Sequence, residues 1–239
     1  MELQTENLFN QRKALLSTLK SLSVSIGAVD TLFHIDLDKP DIWLGKSWMK
    51  CLKQRNSIFY TSENLQDTFQ CYKSLLKPMD SDLSKSVNKQ LYSWTAAGST
   101  SAKMLKESGY KKVVSLSLPL SATSQLYGRY LFFFDDANNQ SEQEICQSIE
   151  NVVNEIYLYQ SAAGSSKLIL SPLEDYGMLK KSTIAIIRNL ALGCSRAELS
   201  DIHYMTPRGI DYHLERAKCL LGAKNTHHLI YKSQSMLLL

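Results

Sequence analysis

Ser195-Arg-Ala-Glu198, Thr206-Pro207-Arg-Gly-Ile210 and Leu220-Leu-Gly222-Ala-Lys-Asn225 are three sets of helix-end signals in close succession. Ser195 with Glu198 has the form of a capping box, in which the Ser side chain accepts from the backbone N–H at Glu198 and the Glu reaches back. Thr206 is a good N-cap, and Pro207 suits the first helical position, where its missing N–H would have had no partner. Ile210, Leu214, Ala217 and Leu221 then follow at spacings of four, three and four, one buried stripe ended by Gly222. Upstream, Ile184, Ile187 and Ala191 predict one face of a helix stopped by Gly193. The second helix carries Leu199 and Ile202, and Asn225 can cap a last helix running to the C-terminus. Four helices joined by very short turns therefore organise the last quarter of the chain.

Two of them, separated by a few residues around His203 to Met205, read as a helix-turn-helix. The side of the longer helix away from its stripe carries Arg208, Asp211, Tyr212, Glu215 and Lys218. In a DNA-binding version of the motif that side enters the major groove. The run Asn189-Leu-Ala-Leu-Gly193-Cys-Ser-Arg-Ala-Glu198-Leu, then Met205-Thr-Pro-Arg-Gly-Ile210-Asp-Tyr-His213, then Leu220-Leu-Gly-Ala-Lys-Asn225-Thr, resembles the LuxR-type helix-turn-helix over about sixty residues without gaps. The resemblance implies a transcription regulator on a double-stranded DNA operator. Its candidate DNA-binding residues are Ser195, Thr206, Arg208, Asp211, Tyr212, Glu215, Arg216, Lys218 and Lys224. Two departures stand out. Ser182-Thr183 occupy a place early in the first helix where members usually carry an acidic residue. Asp211 and Glu215 hold positions where relatives often have basic or polar DNA contacts. Phosphates repel a carboxylate, although one can accept from cytosine N4.

The charge balance is uneven. The 239 residues carry a net charge of +4, yet from Tyr176 onward nine Lys/Arg stand against four Asp/Glu, leaving eighteen basic and nineteen acidic residues in the remainder. The positive excess thus lies in the helical C-terminal part, as in a nucleic-acid module attached to a neutral sensor. Five scattered cysteines without CxxC spacing predict free thiols in a reducing cytoplasm. The N-terminus is polar and amphipathic, with no signal-peptide pattern, and no apolar run approaches membrane-spanning length.

Earlier in the chain, Thr5 to Ser23 predicts a helix with Leu8, Leu15, Leu16, Leu19 and Leu22 near one face. Val29 to Leu37 and Ser57 to Thr61 read as strands, with a turn at Asp38 to Asp41 and an ambiguous Ile42 to Leu52. Glu63 to Leu76 reads as a helix, and so does Ser101 to Glu107, stopped by Gly109. Lys112 to Leu120 and Leu126 to Phe134 predict a hairpin. Ser141 to Tyr159 reads as one long amphipathic helix, with Ile145, Ile149, Val152, Val153 and Ile156 on one side. Ser161 to Asp175, rich in Ser, Ala and Gly, reads as a linker. The fold class is therefore α+β: an N-terminal α/β/α sandwich with an antiparallel sheet over residues 1–162, a linker at 163–175, and a four-helix helix-turn-helix domain at 176–239.

The order of motifs in the N-terminal part resembles the N-acyl homoserine lactone binding domain of quorum-sensing regulators. Phe59-Tyr60-Thr61 precedes a helix, an Asp and a Trp follow, and then come a Gly-ended helix and a hairpin containing Gly128. This resemblance implies candidate ligand-binding residues Tyr60, Phe69, Tyr72, Asp80, Trp94, Val113 and Leu131. The pocket departs from the family pattern. Counting back from Asp80 gives Asp67 and Cys71, and from Asp82 gives Phe69 and Lys73, so neither yields the usual aromatic pair. Val113 replaces the usual Gly of the first hairpin strand, and Leu131 the usual small polar residue of the second. The expected ligand is a different small molecule from an acyl homoserine lactone, or none.

Nothing in the sequence supports catalysis. Four of the five histidines fall in the C-terminal part, and His227-His228 are adjacent, so they point to different faces and make a poor metal pair. There is no Gly-rich phosphate loop, GxSxG elbow or HExxH. The reading is a cytoplasmic, dimeric, orphan-type LuxR regulator without metal or cofactor. The alternative is a regulator-like protein with weakened DNA binding that acts by pairing with another regulator protein.

Overall fold

An antiparallel sheet of five strands carries the N-terminal part of the molecule, in the order β2-β1-β5-β4-β3. The strands are β1 (Asp30–Leu37), β2 (Ile58–Tyr60), β3 (Tyr92–Trp94), β4 (Lys112–Pro119) and β5 (Leu126–Phe134). The computed structural model describes residues 2–39, 42–43, 55, 57–71, 92–94, 105–120, 125–166 and 168–239. The chain divides into two compact units at the Ile169–Leu170 junction.

The hairpin β4–β5 pairs as expected, Val113 with Phe133 and Leu118 with Gly128. β5 is also paired with β1 along its length, from Asp30 opposite Phe133 to Leu37 opposite Leu126. Both strands are buried almost throughout, because helices cover both faces of the sheet. On one face lies α2 (Glu63–Cys71), whose Phe69 ring sits edge-on to Phe133 at 5.8 Å and 6.0 Å from Tyr60. Against the other face lie α1 (Glu2–Ile26), α3 (Glu142–Asn151) and α4 (Val153–Gly164). Phe33, Tyr130 and Tyr159 form an aromatic cluster there, with Phe33 4.7 Å from Tyr130 and 5.1 Å from Tyr159. The N-terminal unit is thus an α/β/α sandwich.

Several elements differ from the sequence reading. Helix α1 extends to Ile26, and it buries Leu19, Leu22 and Ile26 but leaves Leu8 exposed and Leu15 and Leu16 only half-buried. The long helix expected from Ser141 to Tyr159 is two helices. Ser141 caps α3 with a full capping box to Glu144, and the chain leaves helical geometry at Val152 (φ −106°, ψ 9°) before α4 begins. Two consecutive β-branched residues, Val152 and Val153, stand at the break, where crowding against the preceding turn disfavours the helix. Helix α4 then continues to Gly164, so Ser161 to Gly164 are helical and not linker. Ala162 and Ala163 favour helix strongly, and Ala163 is fully buried. Farther along the stretch read as a linker, Pro172–Asp175 forms a short helix, α5, with Pro at its first position. Ile42 to Leu52 lies almost wholly outside the described residues, as do the last five residues of the helix expected to reach Leu76 and the start of that expected at Ser101; residues 105–107 are helical.

The C-terminal unit contains α5, α6 (Lys181–Ala191), α7 (Arg196–His203), α8 (Pro207–Leu221) and α9 (Thr226–Ser235). The stripe Ile210, Leu214, Ala217 and Leu221 is buried as its spacing predicts, and it closes on Ile184, Ile187, Leu199 and Leu229. Two expected core residues are not buried. Ala191 lies at the exposed end of α6, whose inward side carries Thr183 and Ile186 earlier in the helix, and Ile202 is half exposed on the outer side of α7. The C-terminal residues are tied back to their own unit: Ser171 Oγ donates to the carbonyl of Met236 at 2.6 Å, and Arg188 Nε to that of Leu238 at 2.9 Å.

Candidate functional site

Every helix end around the helix-turn-helix is closed by its own sequence. Ser195 accepts from the N–H of Glu198, while Glu198 accepts from that of Ser195 at 2.7 Å. These bonds hold the exposed Glu198 carboxyl below its usual range. Thr206 Oγ1 accepts from the N–H of Gly209 at 3.2 Å, and Asn225 Oδ1 from that of His228 at 2.8 Å. Gly222 ends α8 in the left-handed region (φ +59°), and Lys232 Nζ donates to the carbonyl of Leu221 at 2.7 Å. Helix α7 ends at Tyr204, a left-handed non-glycine residue (φ 51°) whose side chain is 98% exposed. Beneath the turn, Thr183 Oγ1 and His213 Nδ1 are 2.7 Å apart. Burial first, and then Lys180, Arg216 and His203, keep the His213 imidazole below its ordinary pKa, hence predominantly neutral near pH 7.

On the outward side of α8, Arg208, Tyr212, Glu215 and Arg216 are exposed, Asp211 and Lys218 partly so; Lys224 is exposed in the turn that follows. Thr206, exposed, and Ser195 serve as caps as well as candidate contacts. The two carboxylates singled out in the sequence are both engaged. Asp211 forms an ion pair with Arg196 at the start of α7, and Glu215 forms one with Lys218 on its own helix. Arg196 was absent from the candidates because its partner lies fifteen residues on, at no spacing that a helical pattern marks.

Of the N-terminal candidates, Tyr60, Val113 and Leu131 fall on one sheet face, against which Phe69 of α2 packs. Cross-strand partners share a face, so Tyr60, opposite Leu32, lies in one row with Leu131 and Ser115. Phe133 and Val113 form the next row, with the backbone of Trp94 in register beside Val113. Val113, Leu131 and Phe69 are buried among these neighbours. Tyr60 is half-buried, and burial, opposed by Arg55, pushes its hydroxyl up to about 12. Asp30 fixes this region: it accepts from Tyr110 Oη at 2.7 Å and from Thr61 Oγ1 at 2.9 Å. Tyr72 and Asp80 lie outside the described residues, as does the side chain of Trp94.

The same face carries a charged group that the sequence reading missed. His34, Arg129 and Ser117 are in register across β1, β5 and β4, and Asp36 lies one row on. Arg55 reaches in, with Nη1 2.7 Å from His34 Nδ1 and 3.2 Å from Asp36 Oδ2, and with Nη2 donating to the carbonyl of Ile35. Arg129 Nη2 donates to the carbonyls of Leu37 and Asp38 at 2.9 and 3.1 Å. All four side chains are at most 4% exposed. His34 is held well below its ordinary pKa by burial, then by Arg55 and Arg129. The available signal was the alternation Asp30, Leu32, His34, Asp36 on a predicted strand, which places charge on a face that must be covered. On the opposite side of the sheet, α1 and α4 flank an open cleft of about 550 Å³, lined in part by Leu8, Gln11, Leu15 and Ala162.

Among the described residues no group of three or more His, Cys, Asp or Glu is placed to hold a metal ion, and no helix is long and apolar enough to cross a membrane. Taken separately, the units define an α+β protein: a helix-covered antiparallel sheet and a C-terminal helix-turn-helix. No protein-family model matches the chain. No curated protein matches it. Among solved structures it is similar to a crystal structure of Escherichia coli SdiA, at 13% identity and a TM-score of 0.49, over 95% of this chain and 92% of that one. SdiA in complex with octanoyl-rac-glycerol is similar at 12% identity and a TM-score of 0.44, over 98% of this chain and 94% of that one.

Proposed function

We propose that this protein is a LuxR-type transcription regulator whose C-terminal unit binds duplex DNA with α8 in the major groove. The observation that carries the reading is the helix-turn-helix itself. Its caps are satisfied internally and its apolar stripe is fully buried, leaving an outward side with Arg208, Tyr212 and Arg216 exposed and Lys218 at its edge. Lys224 adds a cation beyond the helix end. Such an arrangement suits phosphate contacts flanking a helix that reads base edges. The N-terminal unit is the sensor, and the active form is a dimer on a two-fold operator in the cytoplasm. Leu158 on α4, 72% exposed, offers apolar surface for a second copy.

The sensor takes a ligand other than an acyl homoserine lactone, or none. Leu131 and Val113 fill the sheet face with bulk, and the next rows hold a buried ionic group against which an alkyl chain would be a poor neighbour. A panel of acyl homoserine lactones should leave the melting temperature of the purified protein unchanged. A saturable rise would sink this part of the reading.

The DNA reading is tested by titrating salt into a complex with mixed duplex DNA. Four engaged cations per unit should give a log–log slope of about −3 to −4 for a single bound unit and about twice that for a bound dimer. Folded protein that shows no salt-dependent binding at low ionic strength would instead support the second reading, in which this surface pairs with another regulator protein. That reading is favoured by the exposed apolar surface of Ile202, Tyr204 and Tyr212 beside two carboxylates.

A further inference from the structure

We infer that Arg196 is a phosphate-binding residue of this interface, and that Asp211 and Glu215 are intramolecular stand-ins for DNA phosphate that hold Arg196 and Lys218 until a duplex displaces them. The inference rests on the DNA reading above. Arg196 is the first residue of α7, the helix that in this motif crosses the DNA backbone while the following helix enters the groove. Its guanidinium reaches across to α8 and pairs with Asp211, and both side chains remain about half exposed, at 52% and 46%. The Lys218 ammonium is drawn to Glu215, one turn back on α8, and Glu215 is 68% exposed. Arg208 and Arg216, on the same helix, are exposed and form no ion pair among the described residues. With Lys224 beyond the helix end, the surface therefore presents three cations without an ion pair among the described residues and two held ones, each held by a carboxylate at a position where a phosphate oxygen would also be attracted.

An exposed pair of this kind is weak and screened by salt. A phosphate can replace the carboxylate because Arg binds both with the same forked geometry. The exchange has a cost in affinity, since the released carboxylate stays near the phosphates and repels them. On arbitrary DNA Asp211 therefore keeps Arg196 to itself, and only a site that offers Asp211 a donor of its own, such as cytosine N4, frees the guanidinium for a phosphate.

The test uses the full-length protein and random-sequence duplex, with Asp211→Asn, Glu215→Gln, Arg196→Gln and the Arg196→Gln/Asp211→Asn double variant. Circular dichroism establishes that each is folded. D211N should bind about three- to tenfold more tightly at low salt, and its log–log salt slope should steepen by about 0.9, the signature of one more neutralised phosphate. The double variant should lose that added slope, which a merely structural brace between α7 and α8 would not predict. E215Q should act in the same direction through Lys218. Wild-type binding with an unchanged D211N slope and affinity would overturn the inference while leaving the DNA reading intact. So would weaker binding by D211N, which would make Asp211 a brace or an attractive contact. If neither wild type nor D211N binds at the lowest salt, the DNA reading fails and this inference falls with it.

Discussion

Substituting Asn for His34 should flatten the acid side of this protein's stability profile. The His34 ring is 2% exposed, and its Nδ1 lies 2.7 Å from Arg55 Nη1. A guanidinium can only donate, so Nδ1 is the acceptor and the ring is neutral. Asp36 Oδ2 is 3.8 Å from the same nitrogen and would favour a proton there. Desolvation, together with the positive charges of Arg55 and Arg129, outweighs it, and His34 stays well below its ordinary pKa. The unfolded chain therefore takes up a proton near pH 6.5 that the folded chain refuses. The stabilisation is complete above that pH and is lost as pH falls from about 6.5 toward the folded value, with a slope approaching about 1.4 kcal/mol per pH unit. Asn keeps an acceptor near the Nδ1 position but does not titrate. Urea unfolding of wild type and H34N, followed by far-ultraviolet circular dichroism between pH 8 and pH 5, measures the difference. H34N should be the less stable protein at pH 8, and the gap should narrow as pH falls. A gap that stays constant or widens toward pH 5 would refute a buried neutral histidine.

Two further outcomes follow from packing. Leu214 is 1% exposed at the centre of the C-terminal core, so L214A should cost about 2–5 kcal/mol. The loss should appear as a lowered thermal midpoint together with weakened DNA binding if that unit binds DNA. A Cβ at Gly128 would meet Gln160 Oε1 at 2.0 Å, and Gln160 is held in place by a 2.8 Å bond from its Nε2 to the carbonyl of Pro119. G128A should therefore destabilise by about 1–3 kcal/mol. In a double-mutant cycle with Q160A the two losses should be less than additive; strict additivity would show that Gln160 is not the obstacle.

How much was legible in the sequence depends on whether the forces involved are local. The capping box at Ser195 and Glu198, the Thr206 and Asn225 caps, and the Gly222 stop are bonds between residues three or four apart. Their geometry follows from the chain itself. The stripe from Ile210 to Leu221 is equally readable, because helical periodicity fixes which residues share a side. The β4–β5 hairpin follows from two β-rich runs joined by a short loop. The split of the long helix at Val152 was harder to see, since the apolar pattern runs through it unbroken. Ile145, Ile149 and Ile156 are all buried on the two pieces.

Sequence alone thus determined the element types, the positions of most helix ends and the side of α8 that faces the core. Tertiary structure decided which charges meet. Arg129 reaches Asp36 because the strand order brings β5 beside β1, Arg55 reaches Asp36 and His34 from just before β2, the strand on the other side of β1, and Arg196 finds Asp211 only through the angle between two helices. The physical reason is range. Caps and periodicity act between residues close along the chain, whereas ion pairs and burial depend on distances in space that no local spacing specifies.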